Sequence, residues 1–158
     1  MREIKFRAWQ KYHKKMVEVT NISFDDNGEI NGVATFVENQ APQHISYRDD
    51  LLDRFFLKDE HGMVLELMQY TGLKDKNGID IYEGDIVKRT YIFNGGYGET
   101  NTGEVVYDKE YARYVISRPK KHIEPKTEDL RNTLSDKSTY EVVGNVYENP
   151  ELLEREAE

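Results

Sequence analysis

"QYTGLKDKNGIDIYEGDIV", residues 69–87, is the most distinctive stretch of this chain. Asp75, Asp80, Glu83 and Asp85 fall within eleven residues there, framed by Gly72, Gly78 and Gly84. Such a cluster can be an acidic active site, a metal loop or a hairpin turn, and strand pairing separates the three. A two-residue Asn77-Gly78 turn would set Asp75 opposite Asp80, and like charges directly opposite are destabilising. A three-residue loop, Lys76-Asn77-Gly78, instead sets Lys74 opposite Asp80 and Leu73 opposite Ile81. Asp75 then opens a type I turn with its carboxylate aimed at backbone N–H groups, and Gly78 takes the left-handed bulge position. The same device recurs in "DDNG", where Asp25, Asn27 and Gly28 keep the same offsets between strand-like runs. A formula used twice at strand ends is turn chemistry.

The metal readings fit less well. An EF-hand loop needs oxygen ligands at positions 1, 3 and 5, Gly at 6 and Glu at 12. Counted from Asp75, Gly78 falls at position 4 and Ile79 at position 5. A Mg²⁺ cluster of Asp80, Glu83 and Asp85 would need converging carboxylates, whereas strand alternation separates Asp80 from Glu83. His13, His44, His61 and His122 have no ligand spacing. No nucleophile elbow is present, and "GGYG" (residues 95–98) lacks the Lys-Ser/Thr of a phosphate loop. No catalytic residue, metal or cofactor is expected, and the protein is read as non-enzymatic.

Working outward, residues 3–9 alternate, with Ile4, Phe6 and Ala8 on one face. "KMVEVT" (15–20) returns as the partner strand, and "ISF" with "EINGVATF" forms a second hairpin across "DDNG". Leu51, Leu52, Phe55 and Phe56 follow helical spacing and predict a helix over about 49–57. "GMVLELMQY", "YEGDIVKRTYIF" and "TYEVVGNVY" read as strands, and "EVVYDKEYARYVISR" as strand, turn, strand. "NGGYGETNTG" (94–103) reads as a hairpin loop, and 118–138 as a polar excursion with a helical turn near "TEDLRNTL". Asn149 and Pro150 open a terminal helix over 150–156. The expected fold is α+β, mainly β: hairpins with a bent antiparallel sheet or small SH3-like barrel, plus one or two short helices. It is a single domain over 1–158, with sub-lobes at 1–60 and 63–148.

The chain has 158 residues, no cysteine and a formal charge of −8. Disulfides, thiolate nucleophiles and cysteine zinc sites are therefore excluded. No apolar run approaches a membrane span and the N-terminus lacks a signal peptide's core, so a soluble cytoplasmic protein is expected. Charge is uneven: residues 1–15 carry +5 and residues 118–126 carry +3, leaving −16 elsewhere. One surface could therefore contact nucleic acid. Arg7, Lys11, Lys14 and Lys15, with Trp9 and Tyr12 for stacking and Lys120 and Lys121 as a second patch, are the candidate contacts. The simpler reading is a solvated basic edge hairpin, with Phe6 in the core.

"MREIKFRAW" at the start, "LMQYTGLKDKNGIDIYEGDIV" in the middle, "GEVVYD" after it and "YEVVGNVYENPELL" near the end resemble the YopX family, small proteins of bacteriophages and prophages. The resemblance implies a phage or prophage source, the bacterial cytoplasm and a β-rich fold. It brings no catalytic residues. The expected role is that of an accessory protein that binds a host or phage protein or forms a homo-oligomer; the alternative is a nucleic-acid-binding module.

Overall fold

The computed structural model describes residues 3–11, 13–28, 30–35, 58–59, 62–63, 65–93, 96–118, 127–129 and 140–154. These form twelve strands and one short helix: β1 (Phe6–Gln10), β2 (Lys15–Phe24), β3 (Ile30–Thr35), β4 (Lys58–Asp59), β5 (Gly62–Met63), β6 (Leu65–Lys74), β7 (Asp80–Tyr82), β8 (Asp85–Phe93), β9 (Gly96–Asp108), β10 (Arg113–Ser117), β11 (Thr127–Asp129), β12 (Tyr140–Asn145) and α1 (Glu151–Glu154). The fold is mainly β and antiparallel. The chain divides into a unit of Lys5–Met68 and a unit of Gln69–Glu158 with Met1–Ile4. Among the described residues no helix is long and apolar enough to cross a membrane.

In the first unit the strands run β3-β2-β1-β6, with β6 contributing its leading residues. Register explains the core. Ala8 faces Val17 across β1 and β2, and Ala8, Val33 and Leu65 are buried with Val17, Val19, Ile30 and Leu67 packed against them. "KMVEVT" and "ISF", expected as separate strands, are one continuous β2. A register shift between Val19 and Asn21 carries the polar middle of the strand past β3. Ile4, expected on the core face, is 69 % exposed because pairing starts at Phe6.

In the second unit β9 is the central strand of an open five-stranded sheet, β11-β10-β9-β8-β12, so the sheet does not close into a barrel. Its core is Ile81, Val87, Val105, Ile116 and Tyr140, with Leu73, Tyr114 and Val142 packed against them. Residues 96–103, expected as part of a loop, are strand. The ladder with β8, from Phe93↔Gly96 to Val87↔Gly103, overrides their loop-like composition. Residues 127–129, expected near a helical turn, pair as a strand with β10, because that edge offers backbone hydrogen bonds. The helix expected over 49–57 lies outside the described residues, as does the end of the 150–156 helix beyond Glu154.

Close backbone approach accounts for one glycine. A Cβ on Gly103 would sit 2.4 Å from Ile116 Cγ2 and 2.9 Å from the Ser117 carbonyl oxygen. A four-residue loop joins β1 to β2 and another joins β9 to β10, and the last loop residues, Lys14 and Ala112, are left-handed at φ 48° and 49°. That conformation strains an L-residue.

Gly103→Ala is expected to destabilise the protein by about 1–3 kcal/mol, because backbone on β10 cannot move aside cheaply. Ala112→Gly is expected to change stability by between about 0 and +1 kcal/mol, relief of strain being partly offset by a freer unfolded chain. Urea unfolding at neutral pH measures both.

Candidate functional site

The acidic cluster of residues 75–85 is built from backbone outward. Asp75 opens the β6–β7 turn, with its N–H donating to the Ile79 carbonyl (2.8 Å) and its carbonyl accepting from Gly78 N–H (3.0 Å). Lys74 lies opposite Asp80 and forms an ion pair with it. Gly78 sits at φ 84° with open space around it, so glycine is needed there for conformation and not for room. The Asp75 carboxylate accepts three backbone N–H groups: Asn77 (2.7 Å) and Ile79 (2.9 Å) on Oδ1, and Val142 (3.1 Å) on Oδ2. Two are local, and the third reaches 67 residues along the chain to β12. Burial by itself would raise the Asp75 pKa. The N–H donors outweigh it and hold the carboxyl below its ordinary value of 3.8.

The other carboxylates are similarly engaged. Asp85, 1 % exposed, accepts Tyr82 N–H at 2.7 Å across the turn where Gly84 stands at φ 72°. Glu83 accepts Gln69 N–H at 2.9 Å. The Gly84 N–H donates to the Val105 carbonyl (2.8 Å) and the Gly84 carbonyl accepts Val146 N–H (2.9 Å). Asp25, Asn27 and Gly28 repeat the turn in the first unit. Asn27 N–H donates to the Asp25 carboxylate (2.9 Å) and Gly28, at φ 80°, donates to the Asp25 carbonyl (3.0 Å). Among the described residues no group of three or more His, Asp or Glu could hold a metal ion.

Of the two candidate stacking rings of the basic segment, Trp9 is among the described residues and Tyr12 is not. Trp9 is 8 % exposed and opposite Met16, so its ring is not presented to a base. Arg7 is half-buried opposite Glu18. Lys11 forms an ion pair with Glu66 at 2.6 Å. Lys14 and Lys15 are exposed beside the β1–β2 loop. Tyr12, Lys120 and Lys121 lie outside the described residues.

A surface missed in the sequence lies at the free end of the β9–β10 hairpin. Tyr107 and Tyr114 are cross-strand partners with ring centroids 5.2 Å apart in an edge-to-face arrangement. Tyr114 packs against the core, while Tyr107 is 43 % exposed. Tyr111, 63 % exposed, has the Arg113 guanidinium 5.0 Å from its ring centre. Asp108 holds the loop by accepting Glu110 N–H (3.1 Å) and Tyr111 N–H (3.4 Å), and its other oxygen lies 3.7 Å from Arg113 Nε. Three tyrosines and an arginine between residues 107 and 114 were the available signal.

A family model described as YopX protein matches residues 5–154. The chain belongs to the YopX family. A solved structure, that of protein EF1440 from Enterococcus faecalis, is similar to this YopX protein at 32 % identity, covering 97 % of this chain and 99 % of that one with a TM-score of 0.62. No curated protein matches the sequence. In this YopX protein the family-like central motif is the clamped turn just described.

Asp75→Ala is expected to cost about 3 kcal/mol, because a charged acceptor of three backbone donors is lost, whereas Asp25→Ala, at an exposed turn, should cost about 1 kcal/mol or less. The Asp75 contribution is present above its unfolded pKa and is lost as pH falls through the lower folded value. The gap between wild type and Asp75→Asn should therefore hold steady at neutral pH and narrow below pH 3.8. Urea unfolding across pH measures it; a gap that widens in acid contradicts the assignment.

Proposed function

We propose that this YopX protein is a non-enzymatic accessory protein of a phage or prophage that works in the bacterial cytoplasm by binding another protein. The observation that carries this reading is the end of the β9–β10 hairpin, where Tyr107, Tyr111 and Arg113 are held by a cross-strand ring pair, a cation–π contact and an Asp108-bonded loop. Tyr and Arg dominate binding hot spots. Side chains already ordered lose little freedom on association, so more of their contact energy appears as affinity. Engagement of the motif carboxylates with backbone N–H groups and Lys74 supports a structural role for them.

Protein is favoured over nucleic acid as the partner. The hairpin end balances Asp108 and Glu110 with Lys109 and Arg113, which provides no net attraction for phosphate. The one tryptophan of the basic segment is buried.

The double variant Tyr111→Ala/Arg113→Ala tests the reading. Its melting temperature should stay within about 2 °C of wild type, since both changes are at a loop end. A partner captured from phage-infected host cells by the wild type should bind the variant at least about tenfold more weakly, the effect of losing about 1.4 kcal/mol. A partner retained equally by both proteins, or no partner at all, would overturn it.

A further inference from the structure

An edge strand presents a row of outward N–H and C=O groups on which another strand can pair. Among the described strands, β12 pairs with β8 alone. Its outer side is nevertheless occupied, and by groups that are not strands. Lys76 N–H donates to the Tyr140 carbonyl at 2.9 Å. Val142 N–H donates to the Asp75 carboxylate at 3.1 Å. At the far end, Asn145 donates its N–H to Asn149 Oδ1 (3.4 Å) and accepts Asn149 N–H on its carbonyl (2.9 Å). Gly144 makes room for this, since a Cβ there would lie 2.4 Å from Asn149 Oδ1. Two of the most distinctive sequence segments, "KDKNG" and "GNVYEN", thus meet the same strand edge.

The two covers differ in kind. Asn149 is four residues from Asn145 and stays with it. The 75–79 turn is remote in sequence and touches the edge through one N–H, one carboxylate oxygen and the Lys76–Glu141 ion pair (2.8 Å), whose side chains are 39 % and 40 % exposed. Single substitutions at Asp75 or Lys76 delete these edge contacts without touching β12 itself.

We propose that the 75–79 turn is a guard on a latent pairing edge, and that the occupant of the uncovered edge is β12 of a second copy of this chain. In an antiparallel strand, a residue's N–H and C=O point to the same side. The outward groups of Val142 are therefore self-complementary about a two-fold axis, as a symmetric dimer requires. Centred on Val142, such a pairing sets Glu141 opposite Val143. The strand's single charge thus avoids its own copy. The guard acts as an autoinhibitory contact that keeps this edge from pairing.

Lys76→Pro is the decisive variant. Lys76 is the second residue of a type I turn, where proline is favoured, so the turn keeps its shape while the N–H to Tyr140 is deleted. Lys76→Ala keeps that N–H and loses only the ion pair. Asp75→Asn attacks the second contact: its amide must offer oxygen to the Asn77 and Ile79 N–H groups, so its NH₂ meets Val142 N–H donor to donor. Light scattering after size exclusion, over a concentration series, should show the mass of Lys76→Pro and Asp75→Asn rising toward twice that of wild type, with Lys76→Ala unchanged. Adding Val142→Pro, which removes the outward N–H at a position where edge strands tolerate proline, should abolish the rise. Equal masses for folded Lys76→Pro and wild type at every concentration would overturn the proposal. So would association that survives Val142→Pro. Failure of Lys76→Pro to fold would also overturn it, since the contact would then belong to the fold itself.

Discussion

One carboxylate ties together the most distinctive part of this protein. Asp75 is 7 % exposed, and a buried charge is tolerated only when its oxygens are satisfied. Backbone N–H groups satisfy it: two from its own turn and one from β12. The same side chain therefore shapes a hairpin and fastens that hairpin to the edge of a sheet. Around it, Lys74 and Asp80 fix the register, Lys76 reaches Tyr140, and Tyr140 is among the largest buried side chains of the unit. Remove the charge and a turn, a strand edge and part of a core lose a shared fixed point.

The segment after Tyr82 uses the same chemistry. Asp85 is buried and closes the turn into β8 by accepting Tyr82 N–H, and Gly84 bonds to Val105 on one side and Val146 on the other. Carboxylates that look catalytic in sequence are thus ligands for peptide groups. The surface proposed for a partner lies elsewhere, on a hairpin whose tyrosines continue past the core into solvent.

Local features were legible in the sequence to the extent that they are local. Opposite charges at Lys74 and Asp80 chose the hairpin register, and Asn-Gly spacing located both turns, because turn chemistry acts over four or five residues. The third bond of Asp75 was not legible, since nothing near residue 75 encodes the arrival of Val142. Nor was the strand character of residues 96–103: glycine and threonine there suggest a loop, and the ladder with β8 decides otherwise. The tyrosine hairpin was read only as strand, turn, strand. Alternation predicts which face a residue lies on but not where the core ends along that face.

The order in which the chain is made gives the β12 contact a further meaning. Asp75 and its turn are synthesised long before Tyr140–Asn145, the strand they fasten. Without Tyr140–Asn145, Asp75 Oδ2 lacks the Val142 N–H and β8 lacks its β12 partner. Both are satisfied by the same six residues. The last of the described strands therefore completes a turn and a sheet flank together.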